Sequence, residues 1–204
     1  MNKKTLLGVV GGVVGLGLIV ALAFSIANEG EVDASIGFGA PVVTGSALPV
    51  FDSTAPQDFG VGMPAPTAVG ADWDDNEVRI EANGRPKIVM FLAHWCSHCQ
   101  AEVPVVQNWV DSGNLPNDVE LYGITTSTDR LRPNWPPQDW LVNEGWTAPT
   151  MMDDQIGTLA ASYGMAGTPF YLVLDGDNNV IRRVSGEIGV AGLNQLVVEA
   201  QASA

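Results

Sequence analysis

The sequence predicts an α/β domain with a mixed central sheet, preceded by an apolar segment and a polar connector. Three features carry that prediction. The run 88–92, Ile-Val-Met-Phe-Leu, is too short to span a membrane and reads as a buried strand. It leads through Ala93 and His94 to Trp95, and a Cys96-Ser97-His98-Cys99 tetrad follows at once, then a stretch, 100–109, of helical composition. Downstream, strand-like and helix-like segments alternate to the end of the chain, as α/β proteins require.

Taken in order, the chain begins with Lys3 and Lys4, then twenty-four uncharged positions, 5–28, and then Glu29, Glu31 and Asp33. That length matches a bilayer core, and the flanking charges put the amino terminus inside and the remainder outside. Residues 1–28 are therefore expected to be an uncleaved membrane anchor. A signal peptide cleaved after Ser25-Ile26-Ala27 is the competing reading. Residues 29–61 are rich in Gly, Pro, Ser, Ala and acids without persistent periodicity, so a flexible acidic linker is expected there. The folded domain is assigned to residues 62–204.

Within that domain, 78–80 alternates like a short strand, and Asn83-Gly84 is a turn signal before the central strand. Pro104 should kink or offset the helix after the tetrad. Residues 119–125 read as the next strand. The stretch 126–137, with Pro133, Pro136 and Pro137, reads as a loop, and 138–144 as a short helix ending at Gly145. Trp135, Trp140 and Trp146 read as packing residues. A strand at 150–152 precedes a helix opened by Asp154, with Ile156, Leu159, Ala160 and Tyr163 on one face and Gly164 ending it. Residues 170–174 and 180–184 flank a tight turn as a hairpin, and Val190, Leu193, Leu196 and Val197 mark a terminal amphipathic helix.

Composition narrows function. The 204 residues, 46% hydrophobic, suffice for one domain with a core. Nine basic against twenty-three acidic residues give a net charge of −14, which argues against nucleic acid and against a polybasic grip on anionic lipid. With two cysteines there is no framework of structural disulfides. The pair itself sits where a strand hands over to a helix N-terminus. Unpaired amides and the helix dipole favour an anion there, so Cys96 should be unusually acidic, with Cys99 one turn further in and close enough to form a disulfide. A zinc or copper site built from His94, Cys96, His98 and Cys99 is the alternative, since these are the only Cys and His in the chain.

The pattern Phe91-x-Ala93-x-Trp95-Cys96-x-x-Cys99, with Gly167-Thr168-Pro169 far downstream, resembles the thioredoxin superfamily. Gly62-Met63-Pro64-Ala65-Pro66, Gly84-Arg85-Pro86 and Glu102-Val103-Pro104 are similar to the membrane-anchored TlpA/ResA-like thiol-disulfide oxidoreductases, over roughly residues 62–202. The resemblance implies a thioredoxin-like fold with helices flanking the sheet and extra N-terminal strands at its edge. It implies that Cys96 attacks, Cys99 resolves, and no cofactor is needed beyond the Cys96–Cys99 disulfide. Thr168-Pro169 would be a cis peptide facing the cysteines, forming with Trp95 the substrate-binding surface. Met90 replaces the buried aspartate of cytosolic thioredoxins, and Glu102 is the expected replacement acid/base. His98 is expected to tune the Cys96 thiolate. Ser97-His98 departs from the proline-bearing dipeptide of reducing members; reduction rather than oxidation is still the expected direction, as in cytochrome maturation. Partners would be cysteine-containing extracytoplasmic proteins and a membrane thiol donor or acceptor. The Pro-x-x-x-Thr-x-x-Cys motif of peroxiredoxins is missing before Cys96.

Overall fold

A computed structural model of the chain describes residues 36–203, and two sheets carry the fold. Val42–Thr44 (β1), Thr67–Ala71 (β2) and Glu77–Ile80 (β3) form an antiparallel three-stranded sheet. Lys87–Leu92 (β4), Glu120–Thr125 (β5), Thr150–Met152 (β6), Phe170–Leu174 (β7) and Val180–Ser185 (β8) form a five-stranded sheet in the order β6-β5-β4-β7-β8. It is mixed, as expected. β4 pairs in parallel with β5 and antiparallel with β7. The helices are Ser97–Asp111 (α1), Pro137–Asn143 (α2), Thr158–Ser162 (α3) and Gly189–Gln201 (α4).

Every residue of β4 is buried because both faces of the central sheet are covered. Ile88, Met90 and Leu92 point to one side and pack with Val103, Val106 and Trp109 of α1 and Leu193 and Leu196 of α4. Val89 and Phe91 point to the other, against Ala68 and Ile80 of the small sheet, Leu159 and Tyr163. Phe91 meets Tyr163 and Phe170 with ring centroids 5.7 and 6.2 Å apart, and the buried Tyr163 hydroxyl donates to the Pro66 carbonyl at 2.8 Å. The central strand is thereby clamped in place, which fixes where its C-terminal end delivers the cysteines.

Three expectations are corrected. Residues 37–61, expected to be flexible linker, are built into the domain: β1 pairs with β2, Leu48 N–H donates to Ser162 O and Phe51 N–H to Gly164 O, each at 2.9 Å. Arg183, 1% exposed at its side chain, holds this strap through an ion pair with Asp58 and a bond to the Pro49 carbonyl at 2.7 Å. Gly164, at φ +67°, permits that approach, since a Cβ there would lie 2.3 Å from the Pro49 carbonyl oxygen. The N-terminal strands, secondly, form their own sheet on a face of the central one rather than adding to its edge. Thirdly, Ile156 is 88% exposed, because α3 begins two residues later, at Thr158. Asp154 still prepares that start by accepting the Ile156 and Thr158 amides. α1 runs through Pro104 as one helix.

The expected membrane segment and cleavage site, and residues 29–35 of the expected linker, lie outside the described residues. Among the described residues, no helix is long and apolar enough to cross a membrane.

Burial opposes ionisation of Asp58, but Arg183 and the Gly60 amide hold its carboxyl below the usual aspartate range. A lowered folded pKa adds stability that is complete above the ordinary value, about pH 4, and lost as pH falls through the folded one. Asp58→Ala leaves a buried guanidinium unpaired and is expected to cost about 3 kcal/mol in urea unfolding at pH 7. A loss under about 1 kcal/mol would show that the strap is not anchored this way.

Candidate active site

Cys96 stands at the junction of β4 and α1. Its N–H donates to Ala93 O and its carbonyl accepts the Gln100 N–H, both at 3.0 Å, the latter opening α1. Its backbone is extended at this N-cap position (φ −74°, ψ 118°), so the free amides of the first turn face its sulfur. Burial opposes ionisation of Cys96. The Thr168 hydroxyl, the Cys99 amide and thiol, and the His98 amide outweigh it, and the pKa falls below that of an ordinary thiol. Cys99 is fully buried. Burial, reinforced by the charge that develops on Cys96, pushes its thiol up to about 12, although Ala93 N–H donates to its sulfur at 3.5 Å.

The expected cis peptide is present at Thr168–Pro169, and the Thr168 carbonyl accepts the protonated Cys96 thiol at 3.3 Å. A second, Trp135–Pro136, was not anticipated by the sequence. Trp95, immediately before Cys96, donates its indole N–H to Ser127 O at 2.7 Å, and the Arg132 guanidinium lies 4.6 Å from its ring centroid. Trp140 and Trp146 are buried in the core on the α1 side.

Glu102 is 2% exposed, one helical turn beyond Cys99. Its Oε1 accepts the Tyr171 hydroxyl at 2.9 Å, Ile188 N–H at 2.9 Å and Gly189 N–H at 3.0 Å, so one carboxylate oxygen ties α1 to β7 and to the start of α4. Burial and the Glu102 carboxylate push the Tyr171 hydroxyl well above its ordinary value. Tyr171 was missed in the sequence. Its only signal is a hydroxyl in an otherwise apolar strand, two residues after Pro169. Met90, where thioredoxins carry an aspartate, is a fully buried core residue in the same cluster as Cys99.

The two histidines part company. His98 is exposed and its Nδ1 pairs with Glu187, a partner eighty-nine positions away with no local sequence signal. That pair raises the His98 pKa, with Cys96 adding in the same direction. His94 is 1% exposed: Nδ1 donates to Pro133 O at 2.7 Å and Nε2 accepts Asp129 N–H at 3.2 Å. Both ring nitrogens are thus committed to backbone, and burial lowers its pKa. This corrects the metal-carrier alternative: His94 has no lone pair to offer, and among the described residues no three His, Cys, Asp or Glu converge as ligands.

A buried strand-to-helix Cys-x-x-Cys facing a cis-proline loop, on a β6-β5-β4-β7-β8 sheet, defines a thioredoxin-like protein. The Redoxin family profile matches residues 60–196, and the chain belongs to that family. It is similar to the thiol:disulfide interchange protein HelX of Rhodobacter capsulatus, 25% identical over 128 residues that cover 60% of this chain. The match spans 63% of that relative's length. Among solved structures, the thioredoxin-family thiol:disulfide interchange protein of Chlorobium tepidum TLS is 26% identical, with a TM-score of 0.52 over 67% of this chain and 94% of that one. StoA of Bacillus subtilis, 20% identical, shares the fold, with a TM-score of 0.55 over 66% of this chain and 98% of that one.

The opposite environments of the histidines are open to test by NMR titration. His98 should titrate above the ordinary value of about 6.5 and His94 below it. Glu187→Gln should bring His98 down toward 6.5 and leave His94 unmoved; an unshifted His98 would contradict the ion pair.

Proposed function

We propose that the protein is an extracytoplasmic thiol-disulfide oxidoreductase that reduces disulfides in partner proteins. The observation that carries this reading is the placing of two buried thiols: Cys96 at the start of α1 against the Thr168–Pro169 loop, and Cys99 fully buried one turn further in. A lowered pKa makes Cys96 the more readily ionised thiol and hence the nucleophile, and a raised one keeps Cys99 protonated until it is needed. The Cys96 thiolate attacks one sulfur of a partner disulfide, forming a Cys96–partner bond and expelling the other partner sulfur as a thiolate. Cys99 then loses its proton and attacks Cys96. The second partner thiol leaves, two electrons have passed to the partner, and the protein holds a Cys96–Cys99 disulfide. A membrane thiol donor resets it.

Placing the extended partner segment against Trp95, Thr168 and Pro169 fits their disposition beside the sulfur, with the Thr168 carbonyl free to accept a partner amide once Cys96 has lost its proton. Glu102 is the group to receive the Cys99 proton. Its burial one turn beyond Cys99 along α1 supports that role, and the Ile188 and Gly189 amides hold the carboxylate in a single orientation. The uncharged run at 5–28 and the acids after it support a single-pass anchor with the domain outside the cytoplasm. The thiol:disulfide interchange for which the Rhodobacter relative is named agrees with this reading.

Cys96→Ser should reduce insulin-disulfide cleavage to background. Cys99→Ser should accumulate partner proteins as mixed disulfides that mass spectrometry identifies after non-reducing capture; no trapped protein would contradict the exchange mechanism. Glu102→Gln should slow resolution of a preformed Cys96 mixed disulfide while leaving its formation intact. An unchanged resolution rate across pH 6–9 would remove Glu102 from the catalytic group.

A further inference from the structure

The mechanism uses Trp95 but not the loop that covers it. His94, behind the active-site turn, brackets that loop. It donates to Pro133 O at one end and accepts Asp129 N–H at the other, while its own carbonyl receives the Asn134 side-chain amide at 3.2 Å. Asp129 closes the interior, its side chain accepting Leu131 N–H and its carbonyl accepting Arg132 N–H, both at 3.0 Å. The backbone is therefore set before any partner arrives, and what it presents outward is Arg130, Leu131 and Arg132, all exposed, with Leu131 at 87%. An isoleucine- or leucine-sized side chain left bare means little alone. Its neighbours change that.

Of the chain's nine Lys and Arg, Lys3 and Lys4 lie outside the described residues. Arg79 pairs with Glu77 and Glu81, Arg85 with Glu120, Arg182 with Glu199 and Arg183 with Asp58. Lys87 is buried and donates to the Glu81 carbonyl at 2.9 Å. Arg130 forms no ion pair among the described residues, and Arg132 has only Asp129 at 3.9 Å. On a chain of net charge −14, the positive charge that is left without a close carboxylate among the described residues is gathered in one loop, and Arg132 reaches directly over the residue that precedes Cys96.

We propose that Arg130, Leu131 and Arg132 form a docking element for a partner segment that carries carboxylates beside its reactive cysteine. The two guanidiniums receive the carboxylates, Leu131 contacts an apolar side chain of the same segment, and Trp95 supports the segment as it enters the cysteine site. Because the rest of the surface repels acids, the preference is local to residues flanking the disulfide rather than a property of the partner's net charge. This specificity rests on the exchange activity proposed above.

The test separates the two. Reduced protein is given three disulfide peptides that differ only in their flanks: Asp/Glu, Gln/Asn or Lys/Arg. Two exposed ion pairs should raise kcat/KM for the acidic peptide about fivefold over the neutral one at low salt. The preference should vanish at about 1 M salt, fall to parity in the Arg130→Gln/Arg132→Gln variant and reverse in Arg130→Glu/Arg132→Glu. Equal rates on all three peptides, or a preference that survives the double variant, would overturn the docking role while leaving exchange intact. Failure to reduce any of the three would refute exchange itself, and the docking role with it.

Discussion

Much of this structure follows from the placing of one sulfur atom among donors. Cys96 is buried, and burial alone would keep its thiol protonated. It ionises more readily because the start of a helix offers amides with no other partner, and because Thr168 and Cys99 bring further donors to the same point. Each contribution depends on a different part of the fold. The amides require α1 to begin at Ser97, Thr168 requires β7 to lie beside β4, and Cys99 requires the first turn to be closed.

That dependence explains how much of the molecule is spent on holding β4 and its exits still. Both faces of β4 are packed with aliphatic and aromatic side chains. Glu102 then draws α1, β7 and the start of α4 to one carboxylate oxygen, and His94 fastens the β5–α2 loop beneath the active-site turn. Buried polar groups are costly unless satisfied, and these two are satisfied by distant segments, Glu102 by the Tyr171 hydroxyl and two amides and His94 by backbone alone. They are positioned by the fold and in turn position it.

The legible part of the sequence was the part with local or repeating signals. The apolar run of β4, the tetrad after it and the alternation of later elements gave the central sheet, with boundaries within a few residues. Thr168-Pro169 could be placed opposite the cysteines because its motif is itself distinctive. What escaped were contacts between residues far apart in the chain. Residues 37–61 look like linker because β1 is three residues long and Asp58 finds its partner 125 positions away in Arg183. His94 looked like a possible ligand because its sequence neighbours are a cysteine pair, whereas its bonds go to Asp129 and Pro133. Ile156 fitted a helical face whose helix starts after it. In each case a pattern read over a few residues was overridden by tertiary pairing that no short window contains.

The account turns on the two thiols being unequal in a particular order. Reduced protein labelled with 13C at cysteine Cβ, followed by NMR from pH 5 to 12, reports each ionisation separately. The account predicts that Cys96 titrates below an ordinary thiol, about 8.5, and that Cys99 remains largely protonated until the upper end of the range. Two coincident titrations at the ordinary value, or Cys99 ionising first, would contradict it.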